Sequence, residues 1–69
     1  MCNFNASIGK RIKTQRLAQS LTRENLAQLA KISDKFLYDI EVGNKGISAK
    51  TLQKITKALN VTADWLLNG

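Results

Sequence analysis

The sequence has no histidine and no proline, and its single cysteine lies beside the N-terminus. One cysteine cannot form an intramolecular disulfide, and without histidine the common Cys/His zinc site is excluded. We therefore expect Cys2 to be a free bystander thiol in a reducing compartment. We also expect that the protein binds no metal and no cofactor.

The lack of histidine also argues against an enzyme, because the usual acid or base near neutral pH is missing. The 5 acidic residues form no evident catalytic pair, and the sequence contains no glycine-rich phosphate loop. A chain of 69 residues has little room to enclose a substrate pocket. We therefore expect a protein that binds rather than catalyses.

Long apolar runs are absent as well. No segment approaches the roughly 20 apolar residues of a membrane span, and the N-terminus lacks the apolar core of a signal peptide. We expect a cytoplasmic protein that forms one domain over residues 1–69.

Acidic residues are scarce relative to basic ones, with 5 Asp and Glu against 11 Lys and Arg and a net charge of +6. Lys10, Arg11, Lys13 and Arg16 lie within seven residues that contain no acid. This clustering favours a polyanionic partner. The alternative is that the charge only keeps a small domain soluble.

The chain does contain a repeated apolar–Ser/Thr pair: Leu21-Thr22, Ile32-Ser33, Ile47-Ser48 and Val61-Thr62. A Ser or Thr hydroxyl can cap a helix N-terminus, and the preceding apolar residue can pack on the first turns of that helix. The pattern predicts an all-α protein with four such helices after an opening helix. The expected ranges are about 6–19, 23–30, 34–42 and 49–59, with a last short helix that Thr62 caps and that ends near residues 68–69.

Residues 21–42 predict a helix-turn-helix, because only Lys31-Ile32 separates two capped helices and so short a link forces a steep crossing. Helical periodicity assigns the inward positions of the opening helix and of these two. They are Ile8, Ile12 and Leu17, then Leu26, Ala27, Leu29 and Ala30, then Leu37, Ile40 and Glu41. The outward positions of the later helix are Lys35, Tyr38, Asp39 and Val42.

This stretch resembles the helix-turn-helix of phage repressor and Cro-type (XRE-family) DNA-binding domains. The matching residues are Leu21-Thr22, Leu26-Ala27, Ile32-Ser33, Ile40-Glu41 and Gly43, and similarity continues in the segments 8–12 and 59–67. The sequence departs from the family at Arg23, where Gln is usual, and at Lys31, where Gly is frequent. The resemblance implies a compact five-helix bundle of the λ-repressor type. It also implies a sequence-specific duplex-DNA-binding transcriptional regulator, with repression the expected mode.

In such a regulator the helix from Ser33 to Val42 enters the major groove, where base edges can be distinguished. The resemblance implies base contacts from Asp34, Lys35, Asp39, Phe36 and Tyr38. The expected phosphate contacts are Arg16, Thr22, Arg23, Ser33, Asn44 and Lys45. For the loop of residues 43–46, phosphate binding and an ordinary surface role remain equal alternatives.

The resemblance also places Arg16 beside Glu41. We expect a partly buried ion pair, since a lone charge at the inward Glu41 position is costly; the alternative is separate solvation of both groups at the core margin. Lys35 and Asp39 are spaced to pair across one helical turn in the free protein. On DNA we expect them to separate and contact guanine and cytosine.

The C-terminal helix places Trp65, Leu66 and Leu67 in a row, and successive residues on a helix cannot all face one core. We expect Leu66 to face inward. The expected surface of a homodimer, formed on an inverted-repeat operator, comprises Lys45, Ile47, Trp65 and Leu67. The alternative is a monomer in which Trp65 and Leu67 cap the core.

A different class of function uses the same scaffold as a protein-interaction module, such as an antitoxin or a regulator that binds a protein partner. Two acids on the outward face, Asp34 and Asp39, favour this alternative because phosphate repels them. Salt-dependent affinity for random duplex DNA distinguishes the two classes.

Overall fold

The computed structural model describes the backbone of residues 4–68 and the side chains of residues 7–68. Within that range the chain forms five α-helices, so the all-α prediction is confirmed. They are α1 (Phe4–Ala18), α2 (Arg23–Ala30), α3 (Asp34–Glu41), α4 (Ala49–Leu59) and α5 (Ala63–Asn68).

Helix boundaries differ from the predictions mainly at the first helix. α1 begins at Phe4 and ends at Ala18, rather than extending from about residue 6 to 19. Cys2 lies outside the described residues. α3 ends at Glu41, one residue before the predicted end, and Val42 is its C-cap residue with φ −91° and ψ 0°.

Three connections between helices use the same three-residue turn. Its first residue is Ser20, Lys31 or Asn60, and each of these adopts the left-handed conformation with φ 58°. The next residue is apolar, and its N–H donates to the carbonyl five positions earlier, which satisfies a helix C-terminus. These bonds run from Leu21 to Arg16, Ile32 to Ala27 and Val61 to Thr56 at 3.0, 2.9 and 3.1 Å. The third residue, Thr22, Ser33 or Thr62, caps the following helix through its hydroxyl.

Gly9 sets the approach of α3 to α1. A Cβ atom at this position would overlap the carbonyl oxygen of Ile40 and lie 2.7 Å from that of Glu41. Glycine inside a helix costs about 1 kcal/mol relative to alanine. Here the missing side chain lets the α3 backbone lie directly on α1, which fixes the position of α3 in the fold.

The hydrophobic core is formed by buried side chains from all five helices: Ile8, Ile12, Leu26, Ala27, Ala30, Leu37, Ile40, Ile55, Leu59 and Leu66. The inward positions predicted for α3 are confirmed. The prediction for Leu29 is wrong, since it is 58% exposed. At 100° per residue, Leu29 lies roughly 110° from the centre of the buried stripe formed by its neighbours in α2.

The inward prediction for Leu17 is also wrong, since it is 57% exposed. Arg16 takes the inward place instead. It follows Ile8 and Ile12 at intervals of four residues, which puts the three side chains on one face of α1. A basic residue therefore occupies the end of an otherwise apolar stripe, and it is buried there.

Candidate nucleic-acid interface

The outward face of α3 is partly exposed beside the N-terminus of that helix. Lys35 and Tyr38 are exposed on this face, and Phe36 is half-buried at its edge. The Ser33 hydroxyl accepts from the Phe36 N–H at 3.0 Å and caps the helix. Because the opposite side of α3 packs on α1 and α2, these side chains project from a rigid support.

Arg16 and Glu41 lie together beneath this face. Arg16 donates through Nε to Oε2 of Glu41 at 2.8 Å and through Nη2 to Oε1 at 3.2 Å. Its remaining nitrogen, Nη1, donates to the carbonyl oxygen of Leu21 at 2.9 Å. Only 8% of the Arg16 side chain and 3% of the Glu41 side chain are exposed. The pair therefore joins α1, the entry to α2 and the end of α3.

The outward prediction for Asp39 requires correction, because its side chain is only 8% exposed. The residue does lie on the side of α3 away from the core, but two lysines and the following loop cover it. The Nζ atoms of Lys35 and Lys45 lie 3.3 and 3.7 Å from its Oδ2. The Asp39 carbonyl also accepts from the N–H groups of Asn44 and Lys45 at 2.8 and 3.3 Å.

These contacts determine the titration of the Asp39 carboxyl. Burial alone would raise its pKa, but the hydrogen bond and charge of Lys35, the charge of Lys45 and a hydrogen bond from Asn44 outweigh burial. The pKa of Asp39 therefore lies below its ordinary value. The carboxylate stays ionised and neutralises lysine charge on the α3 face.

A second cluster joins the start of α2 to the outward face of α3. Arg23 donates through Nε to Oδ1 of Asp34 at 2.7 Å, and its Cζ atom lies 5.0 Å from the centre of the Tyr38 ring. The side chains of Arg23 and Asp34 remain 39% and 44% exposed. The hydrogen bond to Asp34 raises the pKa of Arg23. Sequence reasoning placed these residues on one surface but did not identify their contact.

The polar groups around α3 suit a polyanion. The hydroxyls of Thr22 and Ser33 are exposed at helix N-termini, and Asn44 and Lys45 are exposed in the loop after α3. The Lys45 ammonium lies 5.6 Å from the centre of the Phe36 ring. Arg16 is buried at the floor of an open groove that Thr22 and Arg23 also line.

The residues predicted for a dimer surface lie at the other end of the chain and in the loop before α4. Leu66 is fully buried, which confirms its inward position, while Trp65 is 36% exposed. Leu67 and Ile47 are half-buried. Arg11 donates to the Leu66 carbonyl at 3.0 Å and holds the end of α5 against α1.

Residues 4–68 contain neither a cluster of metal ligands nor a membrane-spanning helix. Within residues 4–68 there is no group of three or more His, Cys, Asp or Glu side chains placed to hold a metal ion. The helices in that range are also too short or too polar to cross a membrane.

A tight turn joins the two short helices α2 and α3, and α3 presents one exposed face, which is the arrangement of a helix-turn-helix DNA-binding transcription regulator. The chain belongs to the helix-turn-helix family of the XRE, or Cro/C1, type, whose model matches residues 12–66. The resemblance seen in the sequence is thereby confirmed.

Solved structures of regulators share this fold. The restriction-modification controller protein C.AhdI from Aeromonas hydrophila is 26% identical, with a TM-score of 0.87 over 90% of this chain and 94% of that one. The biofilm master regulator SinR, solved in complex with DNA, is 31% identical with a TM-score of 0.85 over 88% and 98%. The clp gene regulator ClgR from C. glutamicum is 22% identical and shows the same fold, with a TM-score of 0.91 over 97% and 87%.

Proposed function

We propose that this protein represses transcription by binding an inverted-repeat operator as a twofold dimer, with α3 of each subunit in the major groove. The observation that carries this proposal is the uncovered face of α3, held between the start of α2 and the loop of residues 43–46. Because its ligand is genomic DNA, the protein acts in the cytoplasm. The proposed binding unit is the whole chain, residues 1–69.

In this proposal Lys35 contacts guanine, and Tyr38 and Phe36 contact neighbouring bases. Asp39 accepts from cytosine once DNA draws Lys35 away from it. Replacing Lys35 with Ala is expected to weaken binding to a selected operator by about 1–3 kcal/mol and to relax the preference at one base pair. Lys57→Ala, which removes an exposed lysine of α4, is the control for lost charge. Equal weakening on selected and random duplexes would make Lys35 a phosphate contact.

Phosphate contacts are proposed for Thr22, Ser33, Asn44 and Lys45, which are exposed around α3. Such contacts orient the protein but carry no sequence information. Arg16 is omitted from this set because only 8% of its side chain is exposed and its three nitrogens donate to Glu41 and Leu21. Its proposed role is to hold α3 in position through Glu41.

The dimer places two copies of α3 about 34 Å apart, one turn of DNA. Trp65, Leu67, Ile47 and Lys45 are the proposed contact residues across the twofold axis. The test is stoichiometry on a selected operator, measured by native mass spectrometry or sedimentation. We expect two chains on the inverted repeat and loss of tight binding when five base pairs separate the halves. One chain on one half-site, indifferent to the insertion, contradicts the dimer.

Salt dependence tests DNA binding itself. Affinity for random duplex DNA is expected to fall steeply between two salt concentrations, because each neutralised phosphate releases counterions. A protein-interaction module on this scaffold would show weak affinity at both concentrations. Repression is then tested by transcription from a promoter that overlaps the selected operator; increased transcript would make the protein an activator.

A further inference from the structure

We propose that Arg23 is a specificity-determining residue that contacts a guanine base, and that Asp34 and Tyr38 orient it for that contact. This inference rests on the proposed binding of duplex DNA. It replaces the phosphate contact that the sequence suggested for Arg23 and assigns Asp34 a positioning role.

The guanidinium of Arg23 reaches from α2 to α3. Arg23 is the first residue of α2, but its Nε atom is 2.7 Å from Asp34, the first residue of α3. Its Cζ atom is 5.0 Å from the ring of Tyr38, one turn further along α3. The guanidinium therefore lies over the first turns of α3. In helix-turn-helix complexes the N-terminal residues of this helix contact base edges.

Arg23 keeps hydrogen-bond donors that its contact with Asp34 does not use. Arginine carries five N–H groups, one on Nε and four on the two terminal nitrogens. Nε is engaged by Asp34, and within the described part of the chain no other hydrogen bond from Arg23 is formed. The terminal nitrogens are thus available as a pair. Two parallel donors match the O6 and N7 acceptors of guanine in the major groove.

Asp34 and Tyr38 together orient the Arg23 guanidinium. A carboxylate on one edge and an aromatic ring against one face restrict the rotation of a long side chain before it meets DNA. Such ordering lowers the entropy lost on binding. A planar pair of donors requires this alignment at a base edge, whereas a phosphate accepts from many directions. By contrast, Lys35 has a side chain that is 83% exposed and a single contact on its own helix.

The test uses the full chain and an operator selected by the wild type from a random duplex pool. Each guanine is replaced in turn by 7-deazaguanine, which lacks the N7 acceptor. Besides the guanine assigned to Lys35, we expect a second position in each half-site at which this replacement weakens wild-type binding by about 5- to 150-fold. Arg23→Gln is expected to abolish sensitivity at that position, because the amide offers one nitrogen donor in place of the parallel pair. Its loss of affinity on the selected operator should exceed its loss on random DNA.

Asp34→Asn tests the positioning role of Asp34, since it leaves Arg23 charged but replaces the ion pair that orients the guanidinium with a weaker contact to a neutral amide. We expect a smaller loss of guanine preference at the same position. Lys57→Gln is the matched control, because it removes one exposed charge from α4 and should leave that preference intact. Thermal unfolding of each variant separates loss of folding from loss of recognition.

Two results would overturn the inference. If Arg23→Gln weakens every duplex equally and lowers the salt slope by about 1, Arg23 is a phosphate contact. If Arg23→Gln keeps the full 7-deazaguanine sensitivity, a different residue contacts that base. In both cases the wild type still binds DNA, and the proposed function stands. Salt-independent or absent duplex binding by the wild type would instead overturn the proposed function together with this inference.

Discussion

Replacing Glu41 with Gln tests the buried ion pair that holds α3 in place. The change keeps the size of the side chain but removes its charge, and it turns an amide N–H₂ toward the Arg16 guanidinium. Both side chains are more than nine-tenths buried, so little water can solvate the unpaired cation. Breaking such a pair costs about 3–5 kcal/mol. We expect the lower end, because the amide oxygen still accepts one hydrogen bond.

That loss is large relative to the whole domain. A chain of 69 residues has a stability of about 3–10 kcal/mol at 0.05–0.15 kcal/mol per residue. For domains of this size, 1 kcal/mol shifts the thermal midpoint by about 4–8 °C. Glu41→Gln should therefore lower the midpoint by about 12–24 °C. Far-UV circular dichroism during heating and urea denaturation measures the change.

Asp34→Asn supplies the control, because it breaks the Arg23 ion pair, whose shortest N–O distance is similar at 2.7 Å but whose side chains are 39% and 44% exposed. An exposed pair contributes about 0–1 kcal/mol. The two substitutions should therefore differ by at least about 2 kcal/mol. Replacing both partners, with Arg16→Met and Glu41→Leu, should recover much of the loss. Equal effects of Glu41→Gln and Asp34→Asn would refute the argument that burial makes the pair important.

Three further predictions concern backbone and charge. Gly9→Ala should destabilise the fold by about 1–3 kcal/mol or more, seen as a lower urea midpoint, because the added Cβ meets the carbonyl of Ile40; an unchanged midpoint contradicts that close approach. Lys31→Gly should stabilise by roughly 0.5–1 kcal/mol, since it relieves a left-handed residue at φ 58° at some entropic cost. Because the pKa of Asp39 is lower in the folded protein, its carboxylate stabilises the fold at pH values above about 4, the pKa of this carboxyl in the unfolded chain. This contribution is lost as the pH falls through the folded pKa. In Asp39→Asn the urea midpoint should therefore fall less between neutral pH and about pH 2 than it does in the wild type. An equal fall in both proteins would mean that other carboxyls cause the loss of stability in acid.

The helices could be predicted because their signals are local. A hydroxyl cap acts within its own first turn, and Thr22, Ser33 and Ser48 all accept the N–H bonds expected of them. An apolar residue before each cap is also visible in the sequence. The left-handed conformations at Ser20 and Lys31 were not predictable, since neither residue type favours it. There the hydrogen bonds that close each helix outweigh the cost of the left-handed backbone.

Side-chain partners were less predictable, because they depend on how separate elements meet in space. Arg23 and Asp34 are eleven residues apart, and only the steep crossing of α2 and α3 brings them together. Asp39 looked exposed from helical periodicity alone. It is buried because the loop after α3 turns back and places Lys45 over it, and no helical period describes a loop.

The distribution of charge predicts how the proposed DNA complex divides affinity from specificity. Residues 21–42 contain three basic and four acidic residues, a net charge of −1, which leaves +7 on the rest of the chain. Within the described residues, Asp34, Asp39 and Glu41 each pair with a cation. The α3 face is therefore nearly neutral, while α1 and α4 carry lysines that form no ion pair with another described residue. In the proposed DNA complex those lysines would favour binding to any duplex through counterion release. The nearly neutral α3 would then contribute chiefly through base contacts that discriminate between sequences.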